Sequence, residues 1–179
     1  ESLFFNIASD NSAFGYQAMF TNTNGTSNAA FGNQALYGNT TGNDNSAFGN
    51  QSLYSNTIGG NNSAFGYRSL YSNINGTGNC AFGYDTLQSN TSGTSNNAFG
   101  LQCLTNNTTG SFNCGYGLES LIQNTTGSNN SAYGVNSLGT NSTGGTNCAF
   151  GLSALGNNIS ASSNCAFGYQ SLFTNETGV

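Results

Sequence analysis

The sequence has no proline, no histidine and no tryptophan, and Arg68 is its only cationic residue in 179. The absence of histidine removes the imidazole base, so Ser-His and Cys-His catalytic dyads are excluded. Six carboxylates against one cation give a net charge of −5, which leaves no basic surface for nucleic acid or anionic lipid. No apolar run approaches the length of a membrane span. We therefore expect neither a nucleic-acid partner nor membrane insertion.

Other groups needed for chemistry are also missing. The carboxylates fall in different columns or distant copies of a repeat described below, which disfavours a catalytic acid pair. The glycine-rich segments contain no Gly-Lys-Ser/Thr phosphate loop and no Asp-rich calcium turn. Four of the five cysteines fall on one line instead of around a point, which disfavours zinc. We expect no catalytic residues, no metal and no cofactor, so the sequence does not predict an enzyme.

The dominant feature is a unit of 17 residues that occurs ten times without insertion or deletion. We number its columns from the aromatic residue, column 0. Columns −3 and +8 are Asn in all ten copies, column +1 is always Gly, and column +5 is Leu except for Met19. A disordered chain has no reason to keep such a register, so the period predicts an ordered repeat protein.

Seventeen residues per unit suit one coil of a parallel β-solenoid, an all-β fold in which coils stack at about 4.8 Å. We predict ten coils with two short strands each, at columns −2 to 0 and +3 to +6, as in residues 63–65 and 68–71. Gly66 and the Asn73 to Gly76 segment would form the turns. Residues 1–10 would be a partial N-terminal coil, and residues 11–179 the ten-repeat solenoid.

We predict a core made of two facing ladders, because stacked coils can bury apolar side chains that a single coil cannot. The aromatic ladder in column 0 comprises Phe14, Phe31, Phe48, Phe65, Phe82, Phe99, Tyr116, Tyr133, Phe150 and Phe167. The leucine ladder in column +5 comprises Leu36, Leu53, Leu70, Leu87, Leu104, Leu121, Leu138, Leu155 and Leu172.

Asparagine side chains in register can hydrogen-bond from coil to coil, because each amide carries both donors and an acceptor. This predicts an asparagine ladder in column +8. Its members are Asn22, Asn39, Asn56, Asn73, Asn90, Asn107, Asn124, Asn141, Asn158 and Asn175.

If the column 0 rings face inward, the Ala and Gly residues beside them form a smooth outer stripe that would favour lateral contacts, most simply a trimer. Tyrosines at strand ends or turns are candidates for surface contacts with a second rod or with sugars: Tyr16, Tyr37, Tyr54, Tyr67, Tyr71 and Tyr84. The cysteines occupy small-residue columns, which favours small half-buried side chains. The alternative for Cys148 and Cys165, on adjacent coils, is a disulfide.

The run Asn-Ser-Ala-Phe-Gly-Tyr-x-Ser-Leu, from Asn62 to Leu70, resembles the coils in the heads of trimeric autotransporter adhesins. It is also similar to the repeat arrays of phage tail-fibre and bacterial surface proteins. The resemblance extends over all ten copies. It implies a left-handed parallel β-roll, usually trimeric, outside the cell or on a virion surface.

These observations favour a non-enzymatic extracellular structural protein, a subunit or shaft of a fibre or filament with an adhesive role. The chain starts within a repeat and stops at Val179, so we expect a piece of a longer shaft or a subunit that stacks head to tail. Two alternatives remain: an ice-binding solenoid, from the Thr-rich column +9, and a carbohydrate-binding adhesin head. The expected partners are other copies of the chain, and possibly glycans.

Overall fold

One short strand of three residues forms in each repeat. The structure is a computed structural model that describes residue 3 and residues 7–176. The strands are β1 Ser12–Phe14, β2 Ala29–Phe31, β3 Ser46–Phe48, β4 Ser63–Phe65, β5 Cys80–Phe82, β6 Asn97–Phe99, β7 Cys114–Tyr116, β8 Ser131–Tyr133, β9 Cys148–Phe150 and β10 Cys165–Phe167.

The ten strands form a single parallel sheet in chain order, and each pairs only with the strands 17 residues before and after it. The register is identity with identity, so that Phe48 lies beside Phe65 and Ala47 beside Ala64. The described residues contain no helix. The prediction of an all-β parallel solenoid with 17-residue coils is therefore confirmed.

The second predicted strand, at columns +3 to +6, is wrong, because this segment is a series of turns. Columns +3 and +5 have left-handed backbone conformations, as in Arg68 with φ 51° and Leu70 with φ 52°. Left-handed backbone costs a non-glycine residue about 1–2 kcal/mol. The coil accepts this cost because the bend closes a short repeat while Leu70 points inward.

This turning segment is still bonded to both neighbouring coils. The N–H of Arg68 donates to the carbonyl oxygen of Asn50 in the previous coil at 3.0 Å, and that of Leu70 donates to Thr86 in the next coil at 3.0 Å. Donation therefore reverses direction between two residues. A β-ladder does not have this pattern, although the bonds hold the coils together equally well.

The column 0 aromatic residues were predicted to lie in the core, and this is wrong: their rings are on the outer face of the sheet. The rings of Phe48, Phe65 and Phe82 are half-buried, and Phe14 is 75% exposed. The alanine column before them is buried instead, as at Ala47 and Ala64. A shift of one residue along a strand exchanges its two faces, so this correction inverts the predicted orientation of the whole strand.

The interior is too narrow for a ring at that position. In the seventh coil Gly115 replaces the alanine, and a Cβ there would come within 2.5 Å of the Cys103 sulfur and 3.0 Å of the Ser120 hydroxyl oxygen. Cys103 is the largest side chain buried in its column next to a glycine, so the two substitutions compensate. The space opposite the strand holds a methyl group and little more.

The buried side of each coil contains the leucine of column +5, the alanine of column −1, a small residue of column +4 and two asparagines. Met19 and the leucines from Leu36 to Leu155 are fully buried. Leu172 is 50% exposed, because no further coil covers it among the described residues. Most of the predicted partial coil at residues 1–10 lies outside the described residues, although the Leu3 N–H donates to the Ala18 carbonyl oxygen at 3.1 Å.

The glycines of column +1 do not form a smooth outer stripe, so that expectation is also wrong. Gly49 has φ 139°, and a Cβ there would meet the carbonyl oxygen of Gly66 in the next coil. The stripe is closed by the neighbouring backbone, and its alanine part is buried. The argument for a trimer that rested on this stripe therefore lapses.

Candidate functional site: asparagine ladders and an outer aromatic face

The asparagine ladder predicted for column +8 is present and buried. Each Nδ2 donates to the Oδ1 of the asparagine in the previous coil, at 2.7–2.9 Å over eight successive steps from Asn22 to Asn158. The same Nδ2 also donates to the column +11 carbonyl oxygen of its own coil, as from Asn56 to Gly59 at 2.9 Å. One amide thus fixes both the spacing between coils and the turn within a coil.

Column −3 forms a second asparagine ladder on the other side of the coil. The Oδ1 of Asn45 accepts from both the backbone N–H of Asn62 at 3.0 Å and its Nδ2 at 3.1 Å. The Nδ2 of Asn45 reaches across to the Gly59 carbonyl oxygen at 2.9 Å, the same oxygen to which Asn56 donates. The two ladders therefore converge on the column +11 carbonyl of each coil.

This convergence explains the glycines of column +11. A Cβ on Gly59 would lie 2.5 Å from the Asn56 Oδ1 and 2.8 Å from the Asn73 Nδ2. Any larger side chain would separate the amides from their shared carbonyl. Among the ten copies only Ala161 departs from glycine.

Threonine in column +9 also bonds between coils. Its hydroxyl donates to the column +9 carbonyl oxygen of the next coil at 2.9–3.1 Å, in Thr23, Thr40, Thr57, Thr91, Thr108 and Thr125. These hydroxyl protons are used inside the rod. The column that suggested ice binding thus has a structural use.

The outer face of the sheet carries a continuous aromatic stack. Nine rings, from Phe31 to Phe167, stack with centroids 4.5–4.9 Å apart and interplanar angles of 3–7°. The Cys114 sulfur lies 3.4 Å from the Tyr133 hydroxyl, and this hydrogen bond together with partial burial raises the pKa of Tyr133 to about 12. The stack is therefore uncharged at neutral pH.

Beside the stack, column +2 forms an exposed apolar row over seven consecutive coils that sequence reasoning missed. The exposed fractions range from 36% to 71% in Tyr67, Tyr84, Leu101, Leu118, Val135, Leu152 and Tyr169. Columns −2, 0 and +2 contain no charged residue in any of the ten coils. We call these three columns the outer aromatic face. The tyrosines that replace phenylalanine in column 0 were the available signal, because their hydroxyls indicate a solvent-facing edge.

The predicted surface tyrosines divide into two groups. Tyr16, Tyr67 and Tyr84 are exposed in column +2. Tyr37, Tyr54 and Tyr71 are half-buried in column +6.

The tyrosines of column +6 continue from Phe20 in a second stack, with centroids 5.1–5.5 Å apart. The Arg68 guanidinium lies 5.3 Å from the ring centroids of both Tyr67 and Tyr71. The only cation is thereby held at the edge between the two tyrosine columns.

The cysteines are all free thiols in the structure. Cys148 and Cys165 are register partners; burial and the neighbouring Cys165 raise the pKa of Cys148, but no disulfide joins them. Cys103 is fully buried, with its sulfur 3.0 Å from the Ser120 hydroxyl, and burial raises its pKa to about 12. Within the described part of the chain no three His, Cys, Asp or Glu side chains come together as a metal site.

Comparison of the chain with protein-family models, with curated proteins and with solved structures gave no match. In the described residues, no helix has the length and apolar character that crossing a membrane requires. The candidate site is thus defined by this chain's own geometry: two internal asparagine ladders and one outer aromatic face.

Proposed function

We propose that the protein is a structural rod, the shaft or a subunit of an extracellular or virion-surface fibre. The observation that supports it is that the +8 asparagine ladder repeats the same two hydrogen bonds through eight successive steps between coils. Identical contacts at every step make length the property that the repeat multiplies. Ten strands at about 4.8 Å give a rod of about 43 Å.

Bonding that is continuous along the axis also supports stiffness. Each coil is joined to the next by backbone bonds, two asparagine amides and a stacked ring, as between Asn45, Phe48 and their equivalents Asn62 and Phe65. Bending the rod would lengthen all of these contacts on one side at once. The location outside the cell is supported by the resemblance of the repeat to adhesin-head and tail-fibre arrays.

The structural role is tested by joining two copies of residues 11–179 in register, so that the period continues across the junction. Electron microscopy should show thin rods of uniform width, and the fused chain should have about twice the length of the single one. Antibodies raised against the protein should label fibres along their length on the surface of the cells or virions that make it. Round particles, or labelling confined to the cell interior, would contradict the proposal.

Carbohydrate binding is a second candidate, favoured by the exposed rings of Tyr67 and Tyr84, whose centroids are 5.1 Å apart on adjacent coils. Aromatic faces and edges at such a surface can pack against sugar rings. A glycan array with the wild type and with Tyr67→Asn/Tyr84→Asn tests it. Asparagine is the natural residue of this column at Asn33 and Asn50, so the variant keeps the fold and should lose any glycan signal.

A further inference from the structure

We propose that the outer aromatic face binds a second copy of the chain in an antiparallel dimer, with Arg68 of each copy beside Glu119 of the other. This rests on the proposed structural function and adds the partner, the surface and the orientation. The argument begins with apolar exposure. Column +2 presents exposed apolar side chains in seven consecutive coils, from Tyr67 to Tyr169, next to nine stacked rings whose edges reach the surface.

The size of the face agrees with a specific dimer. Eight steps of about 4.8 Å make the stack about 38 Å long, and four residues of about 3.3 Å make the face about 13 Å wide. Two such faces bury about 1,000 Å² in total, which is the lower limit for a specific interface. Flat sheets of this kind pack face to face at about 10 Å.

Charge favours a second copy of this chain as the occupant. The chain carries a net charge of −5, yet columns −2, 0 and +2 have no charged residue. Two copies can therefore meet on this face without bringing their carboxylates together in its centre. The coil spacing is the same in both copies, so ring edges and row side chains keep one register along the whole contact.

The rim of the face decides the orientation. Column +3, next to the apolar row, carries Arg68 in the fourth coil, Asp85 in the fifth and Glu119 in the seventh, all half-buried. A two-fold axis across the rods makes them antiparallel and brings the two +3 rims together. When the fourth coil faces the seventh, Arg68 meets Glu119 of the second copy, and symmetry repeats the pair.

The same register joins apolar groups to each other. Tyr67 in the fourth coil faces Leu118 in the seventh, and Tyr84 in the fifth faces Leu101 in the sixth. A parallel two-fold arrangement would instead place column +2 against column −2, which is Ser, Cys, Ala or Asn. Its nearest carboxylate for Arg68 would be Asp44, one coil out of register. The antiparallel dimer buries the apolar row against itself and pairs the only cation directly.

Sedimentation equilibrium of the full chain tests the proposal. The wild type should be a dimer, and Arg68→Glu should raise the dissociation constant about 10- to 100-fold, since it sets like charges opposite each other twice. Adding Glu119→Arg to Arg68→Glu should restore the dimer, whereas adding Asp44→Arg should not. Rescue by Asp44→Arg instead would overturn the antiparallel orientation.

Two column-matched substitutions separate the face from the rest of the surface. Leu118→Asn, which places in column +2 the residue found at Asn33 and Asn50, should weaken the dimer. Ile58→Asn changes an exposed apolar residue of column +10, where Asn24 and Asn75 occur naturally, and should leave it intact. Circular dichroism of each variant checks that the fold is kept.

A wild type that stays monomeric at every concentration would overturn the dimer. So would equal weakening by Ile58→Asn and Leu118→Asn. Small-angle scattering on the same samples separates this from the proposed function, because monomeric rods of the expected length leave the structural role standing, and compact particles contradict it.

Discussion

The first four coils, residues 11–78, and coils six to nine, residues 96–163, have the same interior and different surfaces. In the first four, column +6 carries the half-buried stack from Phe20 to Tyr71. In the later coils that column is Thr105, Ile122 or glycine, and the exposed apolar residues have moved to column +2. Both asparagine ladders run through both regions without change.

The difference shows which columns the fold requires. An interior side chain touches the same residue of the coils above and below, so a substitution there disturbs three coils together. A surface side chain has water on one side and can change with little consequence. Binding specificity can therefore evolve in columns +2, +3 and +6 while the ladders keep the coil constant.

The largest effect should come from removing one amide of the +8 ladder, by Asn73→Leu in the first region or Asn124→Leu in the second. Asn73→Leu leaves the Asn90 Nδ2 without its acceptor and the Asn56 Oδ1 without its donor, at a site closed to water. Each orphaned group costs about 1–3 kcal/mol, so we expect a loss of about 3–5 kcal/mol in both regions by urea unfolding. Asn33→Leu, at an exposed position where leucine occurs in other coils, is the control and should have little effect.

Truncating the leucine ladder should be the next largest change. Leu53→Ala and Leu138→Ala each open a cavity in a fully buried column, and such truncations cost about 2–5 kcal/mol. We expect nearly equal losses in the free energy of unfolding, because the interior is the same in both regions. A difference of more than a factor of two between them would show that the surface columns also support the core.

Alkaline pH should destabilise the protein partly through Cys103, a buried thiol in the sixth coil. Its folded pKa is raised to about 12 from the usual value of about 8.5, so the unfolded chain loses this proton first. The contribution is complete below pH 8.5 and is lost as the pH rises toward 12. Between pH 8 and pH 10 it amounts to about 2 kcal/mol.

Cys103→Ala tests that pH dependence, because alanine is the natural residue of the column at Ala35 and Ala154. Stability measured by urea unfolding at pH 8 and pH 10 should fall less in the variant than in the wild type. Equal losses would assign the alkaline sensitivity to the tyrosines, of which Tyr54, Tyr116 and Tyr133 also have raised pKa values.

The smallest effect should come from column +6, and here the two regions should differ. Tyr54→Ala removes ring contacts on both sides, to Tyr37 and Tyr71 at 5.1 Å. We expect a loss of about 1–2 kcal/mol. Ile122→Ala at the same column has no ring neighbours and should cost less than about 1 kcal/mol. Equal costs would mean that stacking in the first four coils adds nothing beyond burial.

Much of the architecture could be predicted from the repeat, and the errors have a common cause. Period, coil number and the +8 asparagine ladder follow from identity at fixed spacing, and all are present. The orientation of column 0 could not be read from the side chains, because phenylalanine beside alanine suggests a buried ring by hydrophobicity alone. The second strand was missed because nothing in Arg68 or Leu70 indicates left-handed backbone.

The candidate site was predicted only in part for the same reason. The exposed tyrosines were recognised as surface contacts, whereas Leu101, Leu118 and Leu152 were not. Their exposure depends on the direction of column +2, which follows from the inverted strand. Arg68 was visible as the only cation, but its position between Tyr67 and Tyr71 required the folded coil.

The sequence by itself determined that coils of 17 residues stack in register, because a period that never slips lets every side chain meet its own copy. Tertiary structure alone decided which side of the strand faces inward. The space across each coil is filled by leucine and by two asparagines that share one carbonyl, as at Gly59. Only a methyl group fits in what remains, so the larger ring must lie outside.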